Sequence, residues 1–175
     1  MLLFFFAFLF VFLDFRYNIG AATLNLIPDF VGYALIFIAA RRYKEKSEHF
    51  RHITLLSVIL FAWGVASFLL GAFAIKLHIA LEVATSILST LGALYLTYKF
   101  SEGVKEYETS FTRPIGAAQL SSAWVLLCMG NLIFFFTFVL ESMYLVVILL
   151  QLLSLIWFEY SIIAVAQELR KRKRS

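Results

Sequence analysis

The sequence predicts an all-α fold: a polytopic transmembrane bundle of about six spans, with both termini on the cytoplasmic side. Three observations predict it. First, 62% of the 175 residues are hydrophobic, 18% are aromatic and only 15% are charged, with a mean hydropathy of +0.89, against the roughly 25% charged residues of a soluble domain. Second, the apolar runs are far longer than the about 9 to 11 residues of a membrane β-strand, which leaves helices as the spanning element. Third, 13 of the 15 Lys and Arg residues fall in alternate connectors or the tail: Arg41, Arg42, Lys44, Lys46 and Arg51; Lys99, Lys105 and Arg113; and Arg170 to Arg174. Only Arg16 and Lys76 remain for the opposite side. Such an excess marks cytoplasmic segments, and it agrees with an even number of crossings.

Crossing a hydrocarbon layer of about 30 Å takes about 20 helical residues. Span one, residues 2–15, opens MLLFFFAFLFVFL. It lacks the basic start and the small-residue cleavage site of a leader, so it is expected to remain as a helix. Span two, residues 27–40, is announced by Pro28 and Asp29, a proline in the first turn and an acid at the positive end of the helix dipole. Both runs are short. A re-entrant N-terminal hairpin is the alternative, and it would place Asp14 and Arg16 deep in the membrane. Span three, residues 53–75, carries Gly64, Ser67, Gly71 and Ala74 at spacings of three and four. Span four, residues 77–100, carries Glu82, Ser86, Ser89 and Ala93. The two are expected to pack through these faces around a turn at Lys76 and His78. SEGVKEYETSFTRP is the most polar stretch and reads as the longest loop, with Thr112 and Pro114 signalling the start of span five, residues 117–140. Span six, residues 143–167, leads into the basic tail, a topology anchor able to touch anionic lipid at about 1 kcal/mol per basic residue. No repeat of three helices onto three is visible. The single cysteine, Cys128, has no disulfide partner and reads as a small core residue.

The candidates for chemistry are the polar groups inside spans, because an ionised side chain at the bilayer centre costs at least about 2.5 to 3.5 kcal/mol. Asn131 and Gln151 lie equally far from the turn near Glu141, so an antiparallel hairpin brings them to one depth. They are expected to bond across helices, as a clamp of about 0.6 kcal/mol, or else to line a cavity. Glu159 is expected to reach the cytoplasmic interface or to pair with a basic residue there. Asp14, Arg16, Asn18, Asn25, Asp29, Glu82 and Glu141 gather at the outer helix ends, with Lys76 and His78 nearby. Of these, Asp14, Arg16, Asp29, Glu82 and Glu141 are the candidate ligand-binding group; ordinary interfacial, first-turn and turn roles are the alternative reading of the same residues. Glu45 with His49 and Glu48 with His52 have helical spacing four, which reads as a charge-laced surface rather than a metal site. No metal or cofactor is called for, and HExxH, GxSxG and P-loop motifs are missing from the sequence. The formal charge of +4 is explained by membrane topology, without nucleic acid as a partner.

The segment FLDFRYNIGAATLNLIPDFVGYALIFIAARRY resembles the N-terminal hairpin of a group of small bacterial multi-pass membrane proteins, in which a D-x-R turn leads into an L-x-P-D-F-x-G-Y helix start. The matching positions are Asp14, Arg16, Pro28, Asp29, Phe30, Gly32 and Tyr33. The resemblance covers about a fifth of the chain; it implies a bacterial cytoplasmic membrane and brings no activity with it. In length and helix count the chain also looks like the substrate-binding subunits of energy-coupling-factor vitamin transporters, a likeness of fold without matching residues. The expected function is a non-enzymatic component, binding a small ligand or associated with transport, with an outward-facing polar pocket. The alternatives are an intramembrane enzyme acting on a lipid or lipid-linked substrate, and a helper subunit docking a cytoplasmic protein through residues 41–52 and 99–113. The expected partners are therefore the lipid bilayer and a small-molecule ligand or protein.

Overall fold

A computed structural model describes residues 1–13, 16–19, 22–25, 28–73, 75, 78–111, 113–136 and 144–172, with the side chains of 16–19, 22–25, 134–136 and 144 outside that description. Six helices follow one another: α1 Leu2–Phe12, α2 Asp29–Arg41, α3 Glu48–Ala72, α4 Ile79–Glu108, α5 Ala117–Phe136 and α6 Tyr144–Arg172. A small antiparallel hairpin, β1 Arg16–Ile19 and β2 Ala22–Asn25, joins α1 to α2. Helices α3, α4 and α6 are long and apolar enough to cross a membrane, and α1 and α5 are shorter apolar helices. The chain is a helical membrane-protein bundle.

The hairpin is an addition to the all-helical expectation, and the two helices it joins are short, as the first two apolar runs are. At 1.5 Å per residue α1 rises only about 16 Å and α2 about 20 Å, each less than the about 30 Å of a hydrocarbon layer. Strand β2 rests against α3. Pro28, in extended conformation, caps α2 one residue later than the sequence signal, with Asp29 in the first turn.

Each helix packs on the next, and α1 packs on α6, so the six helices close into a ring. The ring is filled by phenylalanines from four of them. The Phe4 ring lies 4.5 Å from that of Phe100 and 6.0 Å from that of Phe50. Phe8 lies 5.3 Å from Phe100 and 5.8 Å from Phe158. Edge and tilted arrangements of this kind add about 0.5 to 1.5 kcal/mol per pair to the burial itself.

This aromatic core lies towards the end of the ring that carries the basic connectors, hereafter the basic end. The Met1 amino group donates to the Tyr43 hydroxyl at 2.9 Å. Tyr43 contacts Tyr107, and Tyr107 contacts Phe111. Arg172 sits over the Phe111 ring and donates to the Arg113 and Pro114 carbonyls at 2.8 and 3.0 Å. Met1 and Arg172 thus lie at the same end of the bundle.

Three expectations are corrected here. The polar stretch from Ser101 is no loop up to Glu108: α4 continues through it, because Val104 is buried and Tyr107 half-buried on one face while Glu102 and Lys105 pair on another at 3.6 Å. Gly64 faces Phe30 of α2, not α4: a Cβ there would lie 3.2 Å from Phe30. The approach of α3 to α4 falls instead at Gly92 against Leu60 and at Trp63, whose indole N–H donates to Ser89 Oγ at 2.9 Å. Glu45 precedes the helix that was to pair it with His49, since Ser47 caps α3 by accepting from the His49 N–H at 3.1 Å. Glu48 and His52 do meet across one turn, at 3.7 Å.

Candidate functional site

Four of the eight buried polar residues among those described, Asn131, Ser154, Glu159 and Ser161, lie on α5 and α6. Small residues let these helices approach: a Cβ on Gly130 would stand 2.7 Å from Ser154 Oγ, and Gly116 faces Val165. That register carries Gln151 opposite Asn131, and Gln151 Nε2 donates to Asn131 Oδ1 at 3.3 Å. Asn131 Nδ2 in turn donates to the Leu127 carbonyl at 2.9 Å, and Ser154 Oγ to the Gln151 carbonyl at 2.8 Å. Asn131 is buried, and both of its side-chain polar atoms are bonded within the group. The arrangement clamps α5 to α6 and offers little to a ligand.

Glu159 is a different case. It is 4% exposed, and neither carboxylate oxygen has a hydrogen-bond partner among the described residues. Both expectations for it, exposure at the interface and pairing with a basic residue, are overturned. The reason is depth: Glu159 lies nine residues before Glu168, about 13 Å along the axis, too far for a glutamate side chain to bridge. Glu168 itself is engaged with Lys171 at 2.6 Å, an interaction that lowers its pKa. The signal for a buried Glu159 was present in the sequence, since it follows Leu155 by four residues and precedes Ile162 by three, on the stripe that faces the core.

The outer group is only partly described. Asp14 and Glu141 lie outside the described residues, and Arg16 is placed through its backbone, opposite Asn25 in the hairpin. Asp29 is half-buried in the first turn of α2, one turn before buried Tyr33. Glu82 is exposed in the first turn of α4, behind His78, whose Nδ1 accepts from the Ala80 N–H at 3.4 Å. Asp29 and Glu82 thus stand at the starts of separate helices. No group of three or more His, Cys, Asp or Glu residues able to hold a metal ion forms among the described residues. Comparison with family models, with curated proteins and with solved structures finds no match for this chain.

Proposed function

We propose that the protein is a six-span component of a bacterial cytoplasmic membrane, with its basic end in the cytoplasm. In this reading it is non-enzymatic, and it binds a small ligand from the outer side or serves a transport assembly. The observation that carries the reading is the uneven packing of the bundle. The buried residues of α3 all lie between Phe50 and Leu60, and those of α4 between Ala93 and Val104. The basic end is therefore sealed by aromatic packing, while the other halves of these helices carry no fully buried residue among those described. Access is favoured from the end that holds Asp29, Glu82 and the hairpin, and the positive-inside tendency makes that end the outer one.

Single cysteines at Asn18, Glu82 and Ser110, in a Cys128→Ala background, test this with an impermeant thiol reagent on intact cells. Labelling at 18 and 82 but not at 110 is expected. Labelling at 110 alone would invert the topology. Failure at 82 with labelling at 18 would leave the orientation and remove the water-filled outer site. A compound found by thermal shift to stabilise the wild type should lose that effect in Asp29→Asn or Glu82→Gln, with folding of the ligand-free protein in detergent nearly intact.

A further inference from the structure

We propose that Glu159 is a proton-binding site in the interior of the bundle, a carboxyl group that carries its proton while α6 is packed against α1 and exchanges it when the two helices part. The position of Glu159 in the bundle supports this. At about 100° per residue, Glu159 lies about 120° around α6 from Val165, about 140° from Ser154 and about 80° from Gln151, the residues that meet α5 and its approach, and so stands to one side of that face. The other helix packed on α6 is α1. Between Leu2 and Phe12, α1 carries no polar side chain, and the Met1 amino group is bonded to Tyr43. On α5 the only titratable residue is Cys128. On α6 itself, Tyr160 is exposed and Glu168 is joined to Lys171. On α4, Lys99 lies over the Tyr95 and Tyr98 rings and Glu102 pairs with Lys105. No cation among the described residues is placed to balance an ionised Glu159. An uncompensated charge in such a setting is costly, and the group takes up a proton instead.

A metal cation fits less well, because Mg²⁺ or Ca²⁺ takes about six or more oxygen ligands. Among the described residues no group bonds either carboxylate oxygen of Glu159, and no group of three or more His, Cys, Asp or Glu able to hold a metal forms; a lone carboxyl of this kind is a site for a proton. This inference goes beyond the outward ligand site and does not depend on it.

The test uses the full chain, in membranes and in detergent, with dicyclohexylcarbodiimide as the probe. This apolar reagent adds to a protonated carboxyl: the proton goes to a carbodiimide nitrogen and the carboxyl oxygen bonds to the central carbon. An oxygen-to-nitrogen acyl shift then gives a stable N-acylurea, and nothing is lost. The expected result is one adduct per chain, mapped to the α6 peptide bearing Glu159, absent in Glu159→Gln and forming more slowly as pH rises. Phe8→Ala, which loosens α1 against Phe158, should speed labelling several-fold. Folded wild type that leaves Glu159 unmodified, while exposed Glu48 and Glu82 react, would overturn the proposal. So would a melting temperature that falls as far in Glu159→Gln as in Glu159→Ala, since the charged form would then be the one in use. An unchanged rate in Phe8→Ala would overturn the role of α1.

Discussion

Gly32 is where α1 and α2 come closest, and the approach leaves no room for a side chain. A Cβ there would stand 2.7 Å from the Ala7 carbonyl oxygen and 2.7 Å from Val11. Backbone cannot swing aside as a flexible side chain can, so Gly32→Ala is expected to destabilise the protein by about 1 to 3 kcal/mol, the usual cost of overpacking. Thermal unfolding in detergent measures it, and wild-type stability would show that α1 can slide. Tyr43, in the connector after α2, gives a prediction in pH. Burial chiefly, and then neighbouring Tyr107, raise its phenol above the usual tyrosine value, against a smaller lowering by Arg42. A folded-state pKa above the unfolded one contributes stability that is complete below the unfolded value, about 10, and is lost as pH rises from there through the folded-state value. The melting temperature should therefore fall more steeply above about pH 10 in the wild type than in Tyr43→Phe, and equal slopes would exclude Tyr43 as the source.

Among the elements, α5 begins with help from another helix. Thr112 and Pro114 signal a start, and the first helical residue is Ala117, where the sequence places the beginning of span five, after Gly116 at φ +101°. The first turn is held from a distance: Glu108 Oε1, at the end of α4, accepts from the backbone N–H groups of Ile115, Gly116 and Ala117. A carboxylate at this point also meets the positive end of the helix dipole. Glu108→Ala should cost about 1 to 2 kcal/mol, as the loss of a cap does, with Glu108→Gln restoring part of it. An Ala variant as stable as the wild type would show that water serves α5 equally well. Capping across a connector joins residues seven to nine apart through tertiary structure, and no local pattern announces it. The helices themselves were legible, since length, apolar runs and Pro28 are local features. The hairpin was not, because RYNI and ATLN lie in a short connector between two apolar runs and show no clear alternation, and only β2 of the pair rests against α3. The small-residue stripe of α3 was legible as a packing face but not in its partner: Gly64 accommodates the α2 backbone at Phe30, and spacing alone does not say which helix brings it.

At the scale of the molecule, the distribution of exposure is that of a protein whose solvent is lipid. Leu88 of α4 is 64% exposed and Leu153 of α6 is 62% exposed, while Glu159 is 4% exposed. The candidate site follows the same division. Residues at helix ends are conspicuous in sequence because they are polar against apolar runs, but whether Asp29 and Glu82 converge depends on how separate helices are placed, which spacing within either one does not report. Glu159 was visible as an acid in a span, and its isolation emerged only once α1 was found to bring no partner. If lipid covers α4, Leu88→Arg tests the whole arrangement. On a water-soluble bundle, an arginine at an exposed position is neutral or improves solubility. Here Leu88 lies nine residues into α4, about 13 Å from its start and so near the middle of a spanning helix. A charge there should disfavour insertion by about 2.5 to 3.5 kcal/mol. Membrane-integrated protein is therefore expected to fall sharply for Leu88→Arg in cell fractionation, while Ser110→Arg, at the basic end, inserts as the wild type does. Normal accumulation of Leu88→Arg as a folded protein would mean that this face of α4 meets water or another chain. The α3 to α4 hairpin would then have to be removed from the lipid boundary, although α6 would keep its claim to cross.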